Sequence, residues 1–398
     1  MIARGQGLSY AAASFGAAGA AIDMRGFDRI LDYDTASGDV VVEAGITLAG
    51  LFDFLASKHR YLVVQPGHGQ ISVGGCIAAN VHGKNQSRDG TFYKQVQEVM
   101  LFHPRHGAIA VSRQSSPEVF DATCGGFGLT GIILRARLKT AALPSRHMIL
   151  SIYPAATPEV AADMMRDAAS SAEAVYSWHD FIAGKGDGLV ALARFDSDQE
   201  IRGATRRQKP ISAEWRARGL LSSRTSLAGR LINVAYRAFN RPGDYNIAVE
   251  KAIFPSQGSE EYFRLYGKRG FHEYQAIVPR QSFGEYVSRV RALAKGCSVP
   301  ILLASAKYFE GQSFLLRFTG DGICFAINVP RSDESEGFLI ELDRIAVELM
   351  CRPNIMKDSR LPRAIVEKVY PEYEIFKRFL RWCGIPSVLE SATNIAID

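Results

Sequence analysis

Apolar positions along the first 140 residues follow two different periods. VVVEAG (40–45) is a β-branched run closed by glycine, the pattern of a strand ending in a turn, whereas LAGLFDFLASKH (48–59) spaces its leucines and phenylalanines along one helical face. GIILRARLKT (131–140) returns to strand character and ends in apolar and basic alternation. Strands, glycine turns and short helices together predict a mixed domain over 1–146. ALPSRH (142–147) interrupts the pattern, and beyond it MILSIYPAATPEVAADMMRDAASSA reads as strand, proline-containing turn and helix. YQAIVPRQSFGEYVSRVRALAKG (274–296) passes from a strand-like to a helix-like run and ICFAINVP (323–330) is strand-like, which predicts an antiparallel sheet with flanking helices over 147–351. Residues 352–398 form a C-terminal segment.

A chain of 398 residues is long enough for two or three domains with cores of their own. Its six cysteines (76, 124, 297, 324, 351 and 383) include no CxxC pair, which argues against a zinc ribbon or a disulfide framework and for reduced thiols in the cytoplasm. The histidines include no HExxH, and His103 and His106 bracket Pro104 and Arg105 as in a hairpin turn, so no metal site is expected. No GxSxG elbow anchors a serine hydrolase. Neither a run of 18 apolar residues nor the order of a signal peptide is present, so no membrane span or secretion signal is expected.

Charge is concentrated in one place. Residues 201–241 hold ten Lys or Arg against Glu214 alone, +9 within a total of +6, so the remainder is about −3. The segment interleaves arginine with Leu, Ile, Trp215, Tyr236 and Phe239, and two readings stay open: peripheral contact with an anionic membrane at its inner face, or a flexible solvated insertion. Nucleic acid is not an expected partner.

Three glycine clusters mark the first domain. ARGQGLSY (3–10) allows backbone N–H groups to approach an anion closely, though a plain tight turn would read the same. QPGHGQISVGGCIAANVHGKN (65–85) is more demanding, with three glycine breaks among small apolar residues, and CGGFGLTGII (124–133) repeats the theme. None is a GxGxxG or a GxxxxGK[ST], which disfavours Rossmann and P-loop nucleotide sites. Three separated turns suit a domain that wraps backbone around a long, diphosphate-bearing cofactor.

Those clusters, with YQAIVP (274–279) and KDSR (357–360) followed by Tyr370-Pro371, resemble the FAD-linked oxidases of the vanillyl-alcohol oxidase type; HGKN, YQxxVP and KDSR resemble a subgroup acting on polyprenyl-phosphate-linked pentoses. The resemblance implies an α+β fold: a two-subdomain FAD-binding domain of the PCMH type (1–146), a substrate domain with an antiparallel sheet, and 352–398 returning to the FAD domain. It implies that Arg4, Gly5, Gly7 and Ser9 hold the FAD pyrophosphate, that Pro66, Gly67, Gly74, Gly75, Ala78 and His82 form the second turn, and that Gly125, Gly128 and Ile132 line the adenine and ribose side. Tyr10 stands where some relatives carry a flavin-linking histidine, which implies non-covalent FAD. Lys357 and Tyr10 are implied beside the flavin and the reacting hydroxyl, with Gln275, Lys84, Lys307 and His82 on the sugar side.

The activity implied is oxidation of a secondary sugar hydroxyl by hydride transfer to flavin N5, as the oxidase half of a 2′-epimerisation in cell wall biosynthesis completed by a short-chain reductase partner. An aldonolactone or alditol oxidase is the alternative within the family. Two departures stand out: the βαβ unit that usually precedes the first turn is absent before Met1, and Asn354 occupies the usual tyrosine position three residues before Lys357. They keep open a competing reading, a non-catalytic basic binding module on a degenerate flavin fold.

Overall fold

The computed structural model describes residues 2–11, 13–14, 20–182, 186–196, 226–257, 265–357 and 360–382. The fold is α+β, with helices and antiparallel sheets in two compact units. Residues 1–143, 310–320 and 354–398 compose the first unit, and 144–309 with 321–353 the second. The stretch 310–320, which the sequence placed inside the substrate domain, thus groups with the first unit.

The first unit is built on a five-stranded antiparallel sheet in the order Ile30–Tyr33, Val40–Glu43, Ile132–Leu138, Val96–His103, Gly107–Ser112. Alternation explains it: Val40, Val42, Val99, Leu101, Ala136 and Leu138 are buried, every second position of their strands. The hairpin turn at 103–107 closes with His106 N–H donating to His103 O (3.2 Å) and the two imidazoles stacked at 4.7 Å. Helix Leu48–Ser57 is capped by Thr47, whose hydroxyl accepts from Gly50 N–H, and it buries Leu48, Leu51, Phe52, Leu55 and Ala56, the i, i+3, i+4, i+7, i+8 face read from the sequence. The C-terminal helices Arg363–Val369 and Tyr373–Trp382 contribute Val366, Tyr370, Tyr373, Phe376 and Leu380 to a cluster that also contains Ala122, Phe127, Leu129, Leu315 and Leu316.

The second unit is an eight-stranded antiparallel sheet ordered Gly243–Ala248, His147–Ala155, Gly188–Phe195, Ala174–His179, Leu303–Phe309, Gly322–Pro330, Phe271–Val278, Arg352–Pro353. Gly322–Pro330 is buried along its whole length, which a run apolar but for Asn328 predicts for a strand covered on both faces. Helices Pro158–Ala168, Phe283–Gly296 and Asp333–Glu348 pack on one face, against Ala276, Val278, Ala304, Ala306, Phe325 and Ile327. Of the basic stretch 201–241, residues 201–225 lie outside the described residues; the rest begins with helix Ser226–Phe239.

Candidate active site

The three glycine turns converge within the first unit. A side chain at Gly5 would place its Cβ 2.1 Å from Ser72 Oγ, so the first turn lies directly against the second. The second is tied to the third by Gly125 N–H donating to Ile77 O (3.0 Å) and Phe127 N–H to Ala78 O (2.9 Å). Gly7, Gly125 and Gly128 have φ of +67°, +98° and +80°, where a Cβ is strained. Gly74 serves packing: its N–H is committed to Ala44 O (2.7 Å) and a Cβ there would sit 3.0 Å from the same oxygen. Gly75 N–H points to Ser72 Oγ at 3.4 Å. Pro66 is buried, Gly67 half-buried, and Ile132 half-buried at the start of its strand.

Two polar atoms beside these turns are buried without a hydrogen-bond partner: Ser9 Oγ in the first turn and Asn80 Nδ2 between the second and third. Desolvated, unpaired polar groups are costly, and a polar ligand running along the turns would satisfy both. A phosphate accepts from a hydroxyl and from an amide N–H, so the cradle fits a diphosphate cofactor. Arg4 ends strand Ile2–Arg4, and a Cβ on Gly7 would meet its guanidinium at 2.7 Å.

Lys357 and Tyr10, 347 positions apart, are neighbours: Lys357 Nζ lies 4.0 Å from the Tyr10 ring centroid. The backbone builds this contact. Ala11 N–H donates to Met356 O (3.3 Å), while Asn354 accepts twice, from Met356 N–H at its Oδ1 and from Lys357 N–H at its carbonyl, both at 3.0 Å. Asn354, the departure from the expected tyrosine, is therefore what folds the turn presenting the lysine. Asp358 and Ser359 of the KDSR motif lie outside the described residues.

The HGKN segment receives residues 310–320. Gln86 is fully used: its amide donates to Glu310 O (2.9 Å) and Thr319 Oγ1 (3.0 Å), and its Oε1 accepts from Glu310 N–H (3.0 Å). The His82 ring sits 5.8 Å from Phe318 and its Nδ1 lies 3.2 Å from Gly83 O; Lys84 Nζ is buried. Arg317 fastens the same segment to the third turn by donating to Cys124 O (2.9 Å) and to both Asp121 O and Asp121 Oδ1 (2.8 Å each), with its guanidinium 4.0 Å over Tyr93. Burial pushes the Cys76 thiol far up and Cys124 to about 12, so neither supplies a thiolate near neutral pH. Among the described residues no cluster of His, Cys, Asp and Glu could hold a metal ion.

In the second unit, Gln275 is paired with Ala326 and Lys307 with Cys324, two positions apart on the same central strand. Register puts both side chains on one sheet face, the one opposite the three packed helices. Asn80, Gln86 and Arg317 were not singled out by sequence reasoning, and Asn354 was noted only as a departure from the expected tyrosine. Only Asn80 gave a local signal, an asparagine just past a small-residue helix, and it takes φ +43° there.

Residues 1–110 match the family of FAD binding domains. Decaprenylphosphoryl-β-D-ribose oxidase of Mycolicibacterium smegmatis is 28% identical over 396 residues, 96% of this chain and 85% of its own. L-gulono-1,4-lactone dehydrogenase of Mycobacterium tuberculosis is 23% identical over 90% of this chain and 81% of its own, and bovine L-gulonolactone oxidase 31% identical over 35% and 31%. By these matches and the cradle that fits its cofactor, the chain is an FAD-dependent oxidoreductase acting on CH–OH groups.

Proposed function

We propose that the protein oxidises a secondary hydroxyl of a polyprenyl-phosphate-linked pentose, as the first half of a 2′-epimerisation whose keto product a short-chain reductase returns to an alcohol. The observation that carries the reading is the Lys357–Tyr10 contact, formed between the first glycine turn and the C-terminal KDSR segment. The match to the ribose oxidase over nearly the whole chain supports the substrate class. FAD supplies the hydride acceptor, N5 of the flavin.

The chain's own residues do the rest. Arg4, Gly5, Gly7 and Ser9 hold the pyrophosphate, with Pro66, Gly67, Gly74, Gly75, Ala78, Gly125, Gly128 and Ile132 shaping the cradle. Lys357 keeps an ammonium where negative charge accumulates on the flavin pyrimidine, and Tyr10 places a hydroxyl beside the carbinol, whose proton leaves to a base or to water. His82, Lys84, Gln275 and Lys307 recognise the sugar. On this reading FAD is held non-covalently, Tyr10 standing where some relatives carry the flavin-linking histidine. Peripheral contact with an anionic membrane through 201–241 gives access to a lipid-linked substrate; among the described residues no helix is long and apolar enough to cross a membrane.

The test is twofold. Acid precipitation should release the flavin into the supernatant, and colour left in the pellet contradicts non-covalent binding. In a panel of polyprenyl-phosphate pentoses, aldonolactones and alditols with a dye acceptor, the pentoses should turn over fastest; preference for an aldonolactone overturns the substrate class.

A further inference from the structure

Helix Ser226–Phe239 has two faces with different surroundings. On the inner face Ala228 and Ile232 pack against the pair Tyr266 and Leu302, Asn233 Nδ2 donates to Asp180 Oδ1 (2.8 Å), the Tyr236 ring lies 4.6 Å from Trp178, and Arg237 pairs with Asp187 (2.7 Å). A Cβ on Gly229 would come within 2.4 Å of Ile182 Cδ1, so the helix is seated closely. Directional contacts of this kind fix its rotation.

Held that way, the helix turns Leu227, Leu231, Val234 and Phe239 outward, each 61% to 65% exposed. At about 100° per residue, Leu227, Leu231, Val234 and Ala238 fall within an arc of roughly 60°. From 226 to 241 the sequence has three arginines and no acid, and residues 202–225 add seven Lys or Arg against one Glu. Arg230 and Arg241, both exposed, border the apolar stripe. A second copy of the chain packed on this face by two-fold symmetry would set like charges against each other, whereas a membrane interface accepts both halves of the pattern: acyl chains take Leu, Val and Phe, and lipid phosphates take the arginines.

We propose that the outer face of this helix docks in the plane of an anionic bilayer. The position suits the substrate class proposed above, on which the functional meaning of the docking rests. Trp178, under the helix, pairs in register with Ser305, which pairs with Ala326, which pairs with Gln275. The docking helix therefore covers the same sheet face that carries Gln275 and Lys307, the face opposite the packed helices.

The experiment is co-sedimentation of the full-length holoprotein with phosphatidylcholine vesicles, with and without phosphatidylglycerol. Anionic vesicles should bind the protein, pure phosphatidylcholine should bind it weakly, and added salt should release it. Leu231→Asp combined with Val234→Asp should weaken anionic binding by about tenfold or more, while melting temperature, flavin spectrum and turnover of a short-chain, water-soluble substrate stay as in the parent. Leu231→Ala with Val234→Ala, which brings no new charge, should give an intermediate loss. Equal vesicle binding by the Asp variant and the parent overturns the proposal. So does a parent that binds no vesicle but forms a dimer, by light scattering, that the Asp variant splits. If the short-chain substrate is not turned over while vesicle binding behaves as described, the docking face stands and the substrate reading fails.

Discussion

Arg317→Met removes the donors that fasten residues 310–320 to the third glycine turn while keeping the aliphatic stem. The native guanidinium is 7% exposed, makes three hydrogen bonds of 2.8 to 2.9 Å, and lies 4.0 Å over Tyr93. Methionine leaves the Cys124 and Asp121 carbonyls without that donor, at about 1–3 kcal/mol for each that stays buried and unpaired. The Asp121 carboxylate is 27% exposed and can rehydrate, so its ion pair adds only about 1 kcal/mol or less. With a further ~0.5–2 kcal/mol of cation–π attraction, the first unit should lose about 3 kcal/mol or more, a melting shift of at least roughly 6 °C for a unit of this size. Cys124 directly precedes Gly125, whose φ of +98° shapes the cradle, so FAD affinity should fall by about tenfold or more. Asp121→Asn, which keeps an acceptor for Arg317, should cost about 1 kcal/mol or less. Calorimetry and FAD titration of the apoprotein read both effects. Melting within about 1 °C of the parent and an FAD Kd within about twofold would refute this account of the clamp.

Burial, chiefly, pushes His179 down to about 4 from an ordinary 6.5, with Ser177 Oγ at its Nε2 (2.8 Å) and Gly186 O at its Nδ1 (2.9 Å). The folded state thus favours the neutral ring, so stability is complete above pH 6.5 and is lost as pH falls towards 4, by up to about 3 kcal/mol. Urea unfolding across that range checks it, and a slope unchanged in His179→Gln sinks it. Lys357→Ala should slow anaerobic bleaching of the flavin by about two orders of magnitude, and Lys357→Arg should restore little, because a planar guanidinium does not fit the place of a compact ammonium. An alanine variant that melts normally and bleaches within about threefold of the parent removes the role from Lys357. Asn80→Ala should weaken FAD by about tenfold through loss of its Nδ2 donor, measured by fluorescence titration; an unchanged Kd shows that the amide does not face the cofactor.

Periodicity was enough for the elements whose burial is one-sided or complete. Val40–Glu43, Leu48–Ser57, Ile132–Leu138 and Phe283–Gly296 form where their apolar spacing predicts, because each buries one regular face. The glycine clusters were legible because positive φ and sub-contact Cβ distances restrict the residue type at Gly5, Gly7 and Gly125. Arg317 and Gln86 were not, since their partners lie far away in the chain. Arg317 donates across 193 positions to Cys124, and nothing local marks an arginine for burial. The return of 310–320 to the first unit likewise depends on contacts from Gln86, 224 positions from Glu310, which have no periodic signature. Asn354 shows the converse: a mismatch in a family motif proves to be a turn former with its own hydrogen bonds.

The central claim is that this chain takes hydride from the carbinol carbon of a lipid-linked pentose with FAD as acceptor, and anaerobic stopped-flow of the holoprotein tests it most directly. Mixing with a polyprenyl-phosphate pentose should bleach the visible flavin band in a single turnover, yield the ketose, and run measurably slower when deuterium replaces hydrogen at the reacting carbon. A flavin band that persists with these sugars, or bleaching that yields no ketone and ignores the deuterium, contradicts it.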